Sequence, residues 1–295
     1  GNVITVQGAV ENSYLSSIGN LIKADTGTLI LNGSNTYTGN TQVLGGRLQV
    51  TNSLPNNGSA KVLIAKDGNG IMGDGFGDAQ LVRRVISGAT YAGQGSSITG
   101  LATGELATTA DLLAGTAGSQ ADVGMAWRTR GLAEKNTASH GLVSEVLSLS
   151  GIALNGGGTH NGSSQTDLFV LQMSYNPTAL TNLTGLTEAQ AAAQNILGLG
   201  YLDLGPDGLL GTADDTWLPA VNGNFGGTVL NVGNHSYTST YFVLGDYGVD
   251  TTNHVVWAVL NHNSQFAALV PEPASLTILA WGATALMVRR RKDMK

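Results

Sequence analysis

Residues 27–50, GTLILNGSNTYTGNTQVLGGRLQV, decide the fold. Leu29 and Leu31, then Thr41 and Val43, then Leu48 and Val50 recur at period two, with Asn, Gly and Ser clustered at the corners between them. A period of two turns one set of side chains inward along each short strand. Short strands joined by sharp corners in this way form one rung of a right-handed parallel β-solenoid. A rung cannot bury its inner face alone, and about three stacked rungs are needed for stability. The stretch supplies one full rung, and VITVQGAV before it and KVLIA (Lys61–Ala65) after it read as partial rungs. Either the stack is longer in a precursor, or the rung packs on the segment that follows.

The stretch also resembles the autotransporter-associated β-strand repeat. The match lies at Gly27, Thr28, Leu29, Leu31, Gly33, Asn35, Thr36, Tyr37, Thr38, Gly39, Thr41, Val43, Gly46, Leu48 and Val50. No translocating β-barrel is read in the sequence, so the resemblance implies a surface-exposed scaffold and not self-secretion.

A second informative stretch is VPEPASLTILAWGATALMVRRRKDMK at residues 270–295. It sets Pro271, Glu272 and Pro273 ahead of 15 uncharged residues, Ala274 to Val288, and closes on Arg289, Arg290, Arg291 and Lys292. As a helix the uncharged run spans about 22 Å, short of a hydrocarbon core of about 30 Å, so it is a weak permanent anchor. The cations behind it belong on the cytoplasmic side, which puts residues 1–270 outside the membrane. Pro271 and Pro273 keep the segment before the helix extended, the form a protease grips. The order of these parts resembles the PEP-CTERM sorting tail of bacterial exported proteins. That resemblance implies recognition of Pro271, Glu272 and Pro273 by a membrane-embedded sorting protease, an exosortase, which cleaves and passes the body onward. The alternative is a short tail anchor. The chain opens at Gly1 with no leader-like segment, and an exported protein needs one, so the expectation is a mature or truncated form of a longer precursor.

Composition fits an exported, turn-rich β protein. Glycine makes up 42 of 295 residues and charged residues 12%, against about 7% and about 25% in ordinary domains. The absence of cysteine removes disulfides, thiol nucleophiles and cysteine metal sites. Residues 1–135 hold nine Lys/Arg and nine Asp/Glu, whereas residues 136–288 hold no Lys or Arg and ten Asp/Glu. The second region cannot neutralise phosphates, which argues against nucleic acid and leaves a divalent cation or simple solubility for its carboxylates.

Between the two stretches the pattern is looser. Gly68, Gly70 and Gly73 form a G-x-G-x-x-G, but more glycine follows, with Asp74 and Asp78, where a dinucleotide site requires a helix. β-turns are the main reading, ahead of a calcium turn or a nucleotide site. Glu105–Gly115 reads as a short helix, from Leu106 and Leu113 at seven-residue spacing. Trp127 beside Arg128 and Arg130 is either a sugar-stacking platform or, the preferred reading, a core residue with solvated neighbours.

In the acidic region Thr166–Tyr175 alternates with Phe169, Leu171, Met173 and Tyr175 on one face, and Val255–Leu260 is a continuous apolar strand. Thr187 is the expected N-cap of a helix stopped by Gly198. Asp203–Asp215, DLGPDGLLGTADD, is similar to an EF-hand-type calcium loop. In it Asp203, Asp207, the Leu209 carbonyl and Asp214 fall at positions 1, 5, 7 and 12, and Gly208 falls at the sharp turn. Gly205 at position 3 and Asp214 in place of Glu depart from that pattern, and Pro206-Asp207-Gly208 needs no ion to turn, so calcium and a pair of plain turns both stand. Neither G-x-S-x-G nor H-E-x-x-H occurs, and His140, His160, His235, His254 and His262 lack short metal spacing. Asp214 and Asp215 remain as carboxylates for a glycosidase.

The fold class expected is mainly β: parallel β-solenoid rungs, a β-rich module with minor helix, and a C-terminal hydrophobic helix. The segments expected are 1–65 (solenoid repeat), 66–140 (Gly-rich connection), 141–269 (acidic module) and 270–295 (sorting and anchor tail). The function expected is that of a non-catalytic exported cell-surface or matrix protein. Its partners would be an exosortase, the membrane through the C-terminal helix, and exopolysaccharide. The alternative is an extracellular polysaccharide-active enzyme, a hydrolase or lyase.

Overall fold

The computed structural model describes residues 3–6, 19–52, 54, 61–67, 79–92, 98–101, 107–131, 141–161 and 163–270. It is mainly β. The first strands in chain order are β1 (Val3–Val6), β2 (Leu21–Lys23), β3 (Thr28–Leu31), β4 (Thr41–Val43), β5 (Gly46–Val50), β6 (Val62–Asp67), β7 (Ala79–Val85) and β8 (Ile98–Leu101). From β1 to β6, each skips its sequence neighbour and pairs in parallel with the strand after that one. Thus β1, β3, β5 and β7 form one ladder, and β2, β4, β6 and β8 form a second. The partial rungs expected at VITV and KVLIA are both in these ladders, and two further strands, β7 and β8, extend them.

Both ladders continue into antiparallel pairings. The later strands are β9 (Thr109–Gly115), β10 (Ala121–Arg128), β11 (Gly141–Leu142), β12 (Val146–Ser150), β13 (Leu154–His160), β14 (Ser163–Ser174), β15 (Gly198–Asp203), β16 (Thr216–Pro219), β17 (Leu230–Asn234), β18 (Asp246–Asp250), β19 (Val255–His262) and β20 (Ser264–Val270). The odd ladder runs on from β7 through β10, β12, β20 and β15 to β16. The even ladder runs on from β8 through β9, β14 and β19 to β18, with β17 added in parallel. A short pairing of β10 with β6 joins the two into one mixed sheet.

One hydrophobic cluster lies between the ladders. It takes Leu31, Leu48, Leu81, Met125, Leu149 and Phe266 from one side and Val43, Ile64, Ile98, Leu112, Phe169 and Met173 from the other. These positions alternate along their strands, so period two in the sequence becomes burial on one face. Phe169, Leu171, Met173 and Tyr175 are all in this core, as their spacing predicts. On the outer face of the even ladder, Val170, Trp257 and Val259 gather under Tyr237, Tyr241 and Phe242. This explains why Val255–His262 is apolar without alternation.

Three expectations need correction. Of the segment read as a helix over 105–115, Thr109–Gly115 is strand β9, and residues 105 and 106 lie outside the described residues. Ala110 and Leu112 point into the core, Leu113 packs on the opposite face with Val170, and the register against β14 fixes this alternation over the helical spacing of Leu106 and Leu113. Trp127 is core, only 1% exposed, but its neighbour Arg128 is not solvated: it is 4% exposed and donates through Nε to Gln265 at 2.8 Å. The helix capped by Thr187 exists as Glu188–Ala193 with a reciprocal Thr187–Gln190 capping box, yet it ends before Gly198. Asn195 takes the left-handed conformation there (φ 56°) and Gly198 opens β15. A helix the sequence reading passed over, Pro177–Thr184, carries Asn176 as N-cap, proline in its first turn and left-handed Gly185 at its end. The expected C-terminal helix and the Gly68–Gly73 motif lie outside the described residues. Among the described residues, no helix is long and apolar enough to cross a membrane.

Candidate functional site

The stretch that decides the fold is also the best-defined local construction. At one corner, Asn20 Oδ1 accepts from the backbone N–H of Asn40 at 2.8 Å, and Asn40 Oδ1 accepts from the N–H of Lys61 at 2.9 Å. Equivalent positions on successive turns of chain are thus stapled by the same side chain, which satisfies corner amides that no ladder can pair. Two more contacts between turns follow: Thr51 donates to Asn32 Oδ1 at 2.9 Å, and Asn52 Nδ2 donates to Ser34 Oγ at 3.1 Å. Lys23 is buried and donates to the carbonyls of Ala24, Asp25 and Gly45 at 2.7, 2.7 and 3.0 Å, so one ammonium caps carbonyls on two turns. Tyr37, 2% exposed, hydrogen-bonds Thr41 through its hydroxyl, and burial raises its pKa.

Two glycines make the corners close. A Cβ on Gly39 would lie 2.2 Å from Asn20 Oδ1 and 2.4 Å from the Gly19 carbonyl oxygen. Gly46 has φ of +60°, and its Cβ would lie 2.4 Å from the Gly27 carbonyl oxygen. Both are residues through which the stretch matches its repeat. The Asn20–Asn40 staple and Lys23 were missed in the sequence, although asparagines twenty positions apart at the ends of like strands were a usable signal.

The acidic loop 204–215 is the hairpin connection between β15 and β16. Asp203 is 7% exposed, and Asn161 Nδ2 (2.7 Å), Gly205 N–H (3.0 Å) and the Tyr201 hydroxyl (3.0 Å) all donate to its carboxylate. Asp207 accepts from Leu209 N–H at 2.8 Å. The Leu209 carbonyl accepts from Thr212 at 3.0 Å, and Asp214 accepts from the same hydroxyl at 2.7 Å, which lowers the Asp214 pKa. Asp215 accepts from Gly211 N–H at 2.6 Å. Left-handed Gly205, Gly208 and Gly211 let the loop turn tightly. Each predicted calcium ligand therefore has a hydrogen bond within the loop or to its flanks. Among the described residues, no three His, Asp or Glu lie grouped so as to hold a metal ion.

The described histidines differ in their surroundings. His262 is fully buried against Tyr201 and Phe266, and its Nε2 donates to the Ala220 carbonyl at 3.0 Å. Burial depresses its pKa to about 4. His254, left-handed at φ 56°, donates through Nδ1 to Glu188 at 2.7 Å, and Glu188 also accepts from the Tyr175 hydroxyl at 2.5 Å. That burial and the carboxylate raise the Tyr175 pKa. The Trp257 indole donates to the His235 carbonyl at 2.7 Å. The sorting residues Pro271, Glu272 and Pro273 and the basic residues Arg289, Arg290, Arg291 and Lys292 lie outside the described residues.

Comparison with known proteins agrees with the corner geometry. Residues 21–50 match the family model described as Passenger-associated-transport-repeat. The match spans strands β2 to β5 and includes Asn40, the middle residue of the Asn20–Asn40–Lys61 staple. No curated protein and no solved structure matches the chain. The repeat points to an exported, autotransporter-associated type of surface protein.

Proposed function

We propose that the protein is a non-catalytic scaffold of the bacterial cell surface or extracellular matrix, in which β1–β8 are coils of a parallel β-solenoid and β9–β20 close its end. The observation that carries this reading is the pair of parallel ladders, stapled at Asn20–Asn40–Lys61, with a transport-associated repeat at its centre. Such a stack supports length and exposed surface without requiring a catalytic cleft. The acidic, cation-free second half suits extracellular partners such as exopolysaccharide and not nucleic acid. The acidic loop acts as a pair of closed turns in this reading.

In the same proposal the tail is a PEP-CTERM signal. The membrane holds the chain briefly through Ala274–Val288, with Arg289, Arg290, Arg291 and Lys292 on the cytoplasmic side, and an exosortase cleaves at Pro271-Glu272-Pro273. The test is fractionation of exosortase-bearing cells that express the protein or its triple variant Pro271→Ala, Glu272→Ala, Pro273→Ala. The wild type should leave the inner membrane in a form shortened at its C-terminus, and the variant should stay there at full length. Identical partition and mass of the two would remove the sorting role.

A further inference from the structure

Asp246 opens β18 on its outer face and is only 4% exposed. Among the described residues, no hydrogen bond or ion pair meets its carboxylate, and burial raises its pKa. A carboxylate in this position gains no hydrogen bond from the fold and keeps only a small contact with water. The contrast with Asp203, Asp167 and Asp250 is direct, since each of those accepts at least two hydrogen bonds.

Backbone contacts place three aliphatic residues around it. Leu230 is its register partner in the β17–β18 ladder, and Leu230 N–H donates to Gly245 at 3.1 Å. Asp246 N–H donates to the Val243 carbonyl at 3.0 Å, which closes a turn between the two. A Cβ on Gly245 would lie 3.3 Å from the Val229 nitrogen. Val229, Leu230 and Val243 are 55%, 54% and 56% exposed, so the backbone that flanks the lone carboxylate carries three exposed branched aliphatic residues. No Lys or Arg occurs from residue 136 to residue 288, so no nearby stretch of this chain supplies the missing cation.

We propose that this patch seats a lysine- or arginine-bearing segment of a partner protein, with the alkyl stem on Val229, Leu230 and Val243 and the charged head on the Asp246 carboxylate. Charge complementarity fixes the chemistry of the occupant: an apolar peptide leaves Asp246 unpaired, and a solvated cation leaves the aliphatic chains in water. The proposal names a partner chemistry for the surface role above, and its test does not depend on export.

The test titrates the full chain against two fluorescein-labelled decapeptides, one with a single lysine in an otherwise apolar, uncharged sequence and the other with glutamine in its place. The lysine peptide should bind, and both the glutamine peptide and the Asp246→Asn protein should show roughly tenfold or greater loss. Leu230→Ser should weaken binding with an unchanged melting temperature, because Leu230 is half exposed. Asp246→Asn should melt no lower than the wild type, since the variant loses an unpaired charge. The idea is overturned by equal binding of the two peptides, by binding of neither at millimolar concentration, by undiminished affinity of Asp246→Asn, or by a melting temperature several degrees lower in that variant.

Discussion

Strands β1–β8 are three to seven residues long and pair with one another in parallel, whereas β9–β20 include strands of seven, eight and twelve residues paired antiparallel apart from β17–β18 and the short β10–β6 pairing. In the first region the core is built of Leu31, Val43, Leu48, Val50 and Ile64, and polar groups tie one turn of chain to the next: Asn20, Asn40 and Lys23. In the second, Phe169, Trp257 and Phe266 are fully buried. Parallel ladders place equivalent residues beside one another, so one polar device is reused from strand to strand. An antiparallel stack has no such repeat and concentrates its stability in a few large side chains. Charge shifts further along the chain: six of the nine cations of residues 1–135 precede β9, Arg128, Arg130 and Lys135 follow it, and residues 136–288 carry carboxylates and no Lys or Arg.

The contrast predicts unequal costs. Phe169→Ala should destabilise the protein by about 4 kcal/mol, because it empties a fully buried aromatic site between the ladders; denaturant titration that shows less than about 1 kcal/mol would mean the second region does not rest on its large side chains. Acid should act next, through His262. Its folded pKa near 4 lies below the ordinary 6.5, so the unfolded chain takes the proton first. Its contribution is complete above pH 6.5 and is lost as pH falls toward 4, by about 3 kcal/mol at most. Melting curves at pH 7, 5 and 4 should show that loss, and His262→Gln should flatten it; an equal slope in the variant assigns the acid sensitivity elsewhere. Asn40→Ala should cost about 1 kcal/mol, since it removes a single staple. A cost of the Phe169 kind would erase the distinction between the regions. Smallest of all is the effect of calcium. With Asp203, Asp207 and Asp214 each hydrogen-bonded within the loop or to its flanks, millimolar calcium should move the melting temperature by less than about 1 °C, whereas a filled site at 100 times its dissociation constant adds roughly 2.7 kcal/mol. A shift of several degrees that Asp207→Asn or Asp214→Asn abolishes would restore the calcium site.

The sequence made some of this legible and hid the rest for physical reasons. Leu29 to Val50 announce short strands because period two and glycine corners are local signals, and Phe169 to Tyr175 announce a half-buried strand in the same way. Glu105–Gly115 misled because Leu106 and Leu113 fit a helix, and only the partners β8 and β14 decide otherwise. Lys23 was invisible, since a buried lysine is recognised by carbonyls that come from two different turns of chain. Asp203 read as a calcium ligand by its place in a twelve-residue spacing, yet Asn161, forty-two positions away, takes one of its oxygens. Asp246 gave no sequence signal either, because a lone carboxylate means something only once its neighbours are known to be apolar.

The central claim, an exported surface scaffold, is tested most directly by labelling. The chain has no cysteine, and Leu44, at the end of β4, is 42% exposed, so Leu44→Cys places a single accessible thiol on the repeat. A membrane-impermeant maleimide applied to intact cells should label this variant as fully as it labels lysed cells. Labelling only after lysis would place the repeat inside the envelope and contradict the account.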